Sequence, residues 1–164
     1  MPIPIELKQL CDRRKLTLAV AESASAGHMS TLVASVSGSS SFFEGGVIAY
    51  SIRQKVKHLG VDLEHAQSVG CVSERVAKEM ASGVRAAFGT TIGLSITGYA
   101  EPVPSLNIDD RFCWIGFDVN GIVWAERCEG PEAAWLDGHD LRKATQEHFA
   151  WMALEGLVNY LNAQ

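Results

Sequence analysis

A chain of 164 residues is the size of one ordinary globular domain, and its 47% hydrophobic and 20% charged residues exclude wholesale disorder and a fibrous repeat. Its 14 Lys and Arg against 19 Asp and Glu leave a net charge of -5, which argues against nucleic acid as a partner. No apolar run reaches the roughly 20 residues of a membrane span, and Met1-Pro2-Ile3-Pro4-Ile5-Glu6 lacks the basic and apolar regions of a signal peptide, so a cytoplasmic protein without membrane contact is expected.

In chain order, Ile5, Leu7, Leu10 and Cys11 recur among charges at mostly helical spacing, which predicts a short amphipathic helix from Ile5 to Lys15. Leu16 to Glu22 reads as a buried strand. The small-residue turn Ser23-Ala24-Ser25-Ala26-Gly27 follows, and then a helix from Met29 to Val36. Such a strand, turn and helix brings backbone N–H groups and short side chains to the end of a parallel strand.

Ser37-Gly38-Ser39-Ser40-Ser41 ends that helix, Gly45 to Tyr50 is the second strand, and Ile52 to Leu59 is a short helix closed by Gly60. Ser73 is placed to cap a helix from Glu74 to Phe88, with Val76, Met80, Val84 and Phe88 on one stripe and Gly89 as its stop. Thr91 to Thr97 is continuous and apolar, as a central strand is. Gly98 to Arg111, with Pro102 and Pro104, reads as a long loop of the kind that binds or covers a ligand.

Phe112 to Asp118 and Ile122 to Cys128 are strands joined by Asn120-Gly121, a strong hairpin signal. A last helix runs from about Asp140 to Leu161, with Phe149, Met152, Ala153, Gly156, Leu157, Tyr160 and Leu161 as its apolar stripe. The expected class is α/β, as a single three-layer α/β/α domain over residues 1–164. Its sheet is mixed, mostly parallel and five-stranded, and ends in the hairpin. Cys11, Cys71, Cys113 and Cys128 lack metal-ligand spacing and read as reduced structural thiols.

Ligands of open α/β sheets lie beyond the carboxyl ends of the strands. Here those ends carry Glu22-Ser23-Ala24-Ser25-Ala26-Gly27-His28, then Tyr50-Ser51 with Lys55 one turn on, then Thr97-Gly98-Tyr99-Ala100-Glu101. Ser, Lys, Tyr and Thr together are the ingredients of a Ser-Lys hydrolase that needs no His base, although the same residues also cap helices and solvate surfaces.

The order Ala21-Glu22-Ser23, Ala26-Gly27, Ser37-Gly38-Ser39-Ser40, Phe43-Glu44-Gly45-Gly46-Val47, Tyr50-Ser51, Lys55, Leu59-Gly60-Val61, Val72-Ser73-Glu74, Met80-Ala81 and Thr97-Gly98 resembles the CinA C-terminal domain family, strongly over residues 1 to about 100. Members include nicotinamide mononucleotide deamidase, which converts a carboxamide to the acid and releases ammonia. The resemblance implies Ser23 as nucleophile, Lys55 as its base and Tyr50 as an orienting group. It also implies that Ser25, Gly27, Thr97, Gly98 and Arg142 bind substrate, and that amides around Ser25 to Gly27 receive an oxyanion. The expected partner is a small-molecule amide or nucleotide; a homodimer is suggested, and no metal or redox cofactor is implied.

This chain departs from the family pattern in ways that bear on its substrate. Ala24, Ser25 and Ala26 stand where Cys, Thr and Gly are usual, and glycine-rich backbone after Gly98 is replaced by Tyr99-Ala100-Glu101-Pro102-Val103-Pro104 and, further on, Asp109-Asp110. Arg142 is kept, with His139 near the place of another Arg. An acidic segment facing an anionic nucleotide predicts altered phosphate recognition. The alternatives are therefore an amidase for a less anionic substrate, or a non-catalytic binding or regulatory paralogue whose Tyr99 to Phe112 segment fills the pocket. His28 reads as a helix-start cap or solvated side chain, and Trp114, Trp124, Trp135 and Trp151 as core or subunit contacts, with base stacking open for Trp135.

Overall fold

The computed structural model describes residues 1–132 and 138–164, so Trp135 and the His139 side chain lie outside the described residues. Strands β1 (Leu18–Glu22), β2 (Phe43–Ile48), β3 (Ile92–Tyr99), β4 (Phe112–Val119) and β5 (Ile122–Glu129) form a five-stranded sheet in the order β2-β1-β3-β4-β5. β1 pairs in parallel with β2 and β3, whereas β3–β4 and β4–β5 are antiparallel. β4 is thus the reversed strand, and the fold is the α/β mixed sheet expected, with helices on both faces.

Alternation along β1 divides the interior into two cores. Leu18 and Val20 join helices α1 (Ile3–Arg14), α2 (His28–Ala34) and α6 (Gly138–Asn162) on one face. Ala19 and Ala21 turn to the other face, toward α3 (Ile52–Leu59), α4 (Leu63–Ser68) and α5 (Glu74–Phe88). All five β1 residues are buried, whereas β2, at the sheet edge, alternates between half-buried and exposed.

Tight packing brings α5 onto the sheet. A Cβ on Gly93 would stand 2.0 Å from the Ala81 carbonyl oxygen, and one on Gly116 2.1 Å from that of Ala77. Close approach at these two positions therefore requires glycine, and Ser95 Oγ adds a hydrogen bond to the Ala77 carbonyl at 2.7 Å. Ser73 caps α5 through the Val76 N–H, which fixes where the preceding Gly70-Cys71 turn lies.

Some boundaries differ from the sequence expectation. α1 begins at Ile3, so Pro4 joins Leu7, Leu10 and Cys11 on the buried face while Ile5 is exposed. A proline in the first turn costs no helical hydrogen bond, which lets the helix start earlier. α4 was not anticipated: six residues are too few for a period, although Asp62 caps it through the His65 N–H. On α6, Phe149, Ala153, Leu157 and Leu161 are buried as expected, joined by Ala150, Leu154 and Val158. No helix among the described residues is long and apolar enough to cross a membrane.

Candidate active site

At the carboxyl end of β1 the chain turns tightly. Ala26 and Gly27 both take left-handed backbone, with φ of 49° and 100°, which swings α2 away from the strand within five residues. Glycine adopts this conformation freely, whereas Ala26 does so against its own Cβ. The turn is held from within by Glu22, a carboxylate with no solvent exposure. Its Oε2 accepts from Ser25 Oγ at 2.8 Å, Gly27 N at 3.0 Å and Met29 N at 3.0 Å; its Oε1 accepts from Ser30 N at 2.8 Å and Ser30 Oγ at 2.6 Å.

A buried carboxylate is tolerable only when so satisfied. This carboxylate also meets N–H groups at the start of α2, where a helix lacks internal acceptors. Ser25 and Gly27 are therefore committed to Glu22, and Ser25 is fully buried. Ser23, held by its own N–H on the Ile96 carbonyl at 3.1 Å, instead lines a cavity.

That cavity, of about 380 Å³, gathers Ser23 and Ala24 from the turn, Tyr50, Ser51 and Lys55 around the start of α3, Gly70 and Cys71, Gly98 to Glu101 after the middle of β3, and Arg142 from α6. Residues from Ser23 to Glu101 meet because β1, β2 and β3 run parallel and end on the same side, and α6 adds Arg142. Val103 and Glu101 reach its wall, yet the segment after β3 leaves it open: a 3-10 turn at Pro104–Leu106 and a bridge from Val103 to Ile108 fold that segment on itself. Asp109 and Asp110 are exposed and are not among the lining residues, so Glu101 is the acid of this segment at the cavity.

Lys55 is 3% exposed and donates to Thr97 Oγ1 at 2.9 Å and to the Cys71 carbonyl at 3.4 Å. Thr97, itself fully buried, donates to the same carbonyl at 2.8 Å. Burial pulls the Lys55 ammonium below its ordinary value of 10.5, and the neighbouring Cys71 partly opposes that shift. Cys71 presents its carbonyl from left-handed backbone, φ 63°, next to Gly70 at φ 60°. Nothing in the sequence flagged this acceptor, because any residue carries a carbonyl and only the turn aims it.

Tyr50 is well exposed, and its hydroxyl accepts from Arg142 Nη2 at 2.9 Å rather than meeting Lys55. Arg142 Nη1 forms an ion pair with Glu101. A Tyr50–Arg142–Glu101 cluster thus stands at the cavity mouth, with Lys55 at its floor and the fully buried Thr97 behind it. Gly98 lines the cavity, and a Cβ there would clash with the β4 backbone, 2.3 Å from the Phe112 carbonyl oxygen. His28 opens α2 with its N–H on the Ser25 carbonyl, and Trp124 stacks on Phe117 with ring centroids 4.6 Å apart, as a core residue does. Glu22 was legible in principle: a carboxylate between a buried strand and a small-residue turn is placed to receive the amides of the next helix.

Known proteins share this architecture. A family model described as the CinA C-terminal domain matches residues 2–161. A CinA-like protein of Gemmatimonas aurantiaca is 45% identical over 124 residues, covering 74% of this chain and 28% of that protein. A putative competence-damage inducible protein of Halothermothrix orenii is 45% identical over 100 residues, covering 61% of this chain and 24% of that protein. The chain spans about a quarter of the length of these relatives. A competence-damaged protein (CinA) superfamily structure from Klebsiella pneumoniae superposes with a TM-score of 0.88 at 21% identity, covering 99% of this chain and 97% of that one. The competence/damage inducible protein CihA from Agrobacterium tumefaciens gives a TM-score of 0.81 at 23% identity, covering 99% and 96%. At such identities the likeness establishes the fold.

Proposed function

The chain belongs to the CinA C-terminal domain family, and on that premise we propose that it is a Ser-Lys amidohydrolase that converts the carboxamide of nicotinamide mononucleotide or a related amide to the acid and ammonia. Ser23 is the nucleophile and Lys55 its base. The observation that carries this reading is the environment of Lys55, a buried amine whose charged form is disfavoured and which shares one cavity with Ser23. A neutral amine has two hydrogens and one lone pair. Thr97 Oγ1 and the Cys71 carbonyl take the two hydrogens, which leaves the lone pair to accept a proton.

In the first step Ser23 Oγ attacks the amide carbon while its proton passes to Lys55 Nζ. The carbonyl π bond becomes an oxyanion. Collapse of that intermediate breaks the C–N bond, and Lys55 returns the proton to the departing nitrogen, releasing ammonia and leaving an acyl ester on Ser23. Water then attacks the ester carbon, gives its proton to Lys55, and the Ser23 oxygen leaves with that proton as the acid departs. For the oxyanion, the N–H groups of Ser23, Ala26 and Gly27 are engaged by Ile96, Ser23 and Glu22. We assign the role to the amides of Ala24 and Ser25, earlier in the turn than the sequence suggests.

Ammonia release from nicotinamide mononucleotide tests the reading, with Ser23→Ala, Ser25→Ala and Lys55→Met beside the unaltered protein. Ser23→Ala is expected to lower turnover by about 10³-fold or more, and Lys55→Met comparably. Ser25→Ala is expected to act chiefly on stability, through Glu22. No release above the Ser23→Ala background from this amide or from nicotinamide riboside ends the amidase proposal; undiminished release from Ser23→Ala moves the nucleophile elsewhere.

A further inference from the structure

We infer that Glu101 sets the charge preference of the cavity mouth, turning the site toward carboxamides that carry no phosphate. The identity of the reaction rests on the amidase reading above, whereas the charge effect stands on geometry alone. Glu101 follows β3 and is ion-paired with Arg142 Nη1, while Arg142 Nη2 donates to Tyr50 at 2.9 Å. All three line the same cavity as Ser23 and Lys55.

A guanidinium holds a phosphate best through two parallel N–H donors. Here one N–H of each Nη is engaged, by Glu101 and by Tyr50, so a phosphate either displaces the carboxylate or takes the remaining N–H groups of Arg142. In both cases it lies beside Glu101, which is tethered to the cavity wall a few residues from Thr97. Lys55, the other basic side chain of the lining, is buried, and its Nζ is engaged by Thr97 Oγ1 and the Cys71 carbonyl. An uncharged or cationic group at the mouth leaves the Arg142–Glu101 pair intact, and a pyridinium-bearing riboside is attracted by the carboxylate. Asp109 and Asp110 are exposed outside the lining, which assigns the effect to Glu101.

The test compares kcat/KM for nicotinamide mononucleotide and nicotinamide riboside in the unaltered protein, Glu101→Gln and Glu101→Asp. The ratio cancels any general loss of fold or chemistry. The unaltered protein is expected to favour the riboside. Glu101→Gln is expected to raise the mononucleotide-to-riboside ratio by about tenfold or more, mainly through KM, and Glu101→Asp to keep the original preference. A ratio unmoved by Glu101→Gln, or an unaltered protein that already favours the mononucleotide, overturns the inference. Should no variant hydrolyse either amide, the amidase reading fails, and Glu101 is then judged by titration with inorganic phosphate followed by ³¹P NMR. Binding to Glu101→Gln about tenfold tighter than to the unaltered chain supports it; equal affinity, or no binding to either, overturns it.

Discussion

Lys55 Nζ stands 2.9 Å from Thr97 Oγ1, and the Thr97 hydroxyl in turn donates a hydrogen bond to the Cys71 carbonyl at 2.8 Å, so one threonine joins α3 to β3 behind the cavity. Because that proton is committed, the oxygen can only accept from Lys55. Thr97→Val keeps the shape and removes the acceptor. The ammonium form loses more than the neutral amine, so the Lys55 pKa falls further, and the acid limb of the kcat/KM profile is expected to move to lower pH. Loss of positioning is expected to lower kcat by roughly 10- to 100-fold, with Thr97→Ser restoring both rate and profile. A rate and a limb both unmoved in Thr97→Val would show that this bond does not serve the chemistry.

Lys55 also predicts how stability varies with pH. Its folded pKa lies below its ordinary value of 10.5, so between those two pH values the unfolded chain holds a proton that the folded chain has released. Stability therefore rises with pH across that window, while below it the buried ammonium carries its full desolvation cost. Urea unfolding at several pH values, compared with Lys55→Met, is expected to show the unaltered protein gaining on the variant as pH increases toward 10.5. A difference that is flat or falls with pH would mean that Lys55 stays charged in the fold.

The turn after β1 makes two opposite predictions. Glu22→Gln replaces one acceptor oxygen with a donor, confronting either the Ser30 pair or the Ser25, Gly27 and Met29 donors with N–H groups. Such a loss at a buried carboxylate is expected to cost about 2–4 kcal/mol, or roughly 5–15 °C in Tm. Ala26→Gly relieves left-handed backbone at φ 49°, and after the added chain entropy of glycine the net gain is about 0.5–1 kcal/mol. Thermal unfolding of the two variants measures both, and a Tm for Glu22→Gln within 2 °C of the unaltered protein contradicts the anchoring role.

Much of this was readable along the chain because it depends on local chemistry. α5 follows from Ser73, its apolar stripe and Gly89, and the β4–β5 hairpin from Asn120-Gly121, whose φ values of 52° and 88° are those such a turn requires. Ser23, Lys55, Thr97 and Gly98 were readable as strand-end residues; the structure gathers Ser23, Lys55 and Gly98 at one cavity and sets Thr97 behind Lys55 as its hydrogen-bond acceptor. Ser25 and Gly27 read as substrate-binding residues beside Ser23, yet the Ser25 hydroxyl and the Gly27 N–H both donate to Glu22, because the turn directs successive groups to different sides. The acids after β3 looked like one cluster. Folding of that segment on itself separates Glu101 from Asp109 and Asp110, a distinction no charge count contains.

By itself, then, the sequence determined the α/β class, the order of the strands and of every helix but α4, and the residue types that end each parallel strand, since periodicity, capping and turn chemistry act over a few neighbouring residues. Tertiary structure alone decided that the Cys71 carbonyl receives Lys55 and Thr97, and that Arg142 meets Tyr50 and Glu101. These contacts join positions up to 92 residues apart and depend on burial and direction. Both are set only when the sheet assembles: its parallel strands bring their ends together, and the helices exclude water from the amine between them.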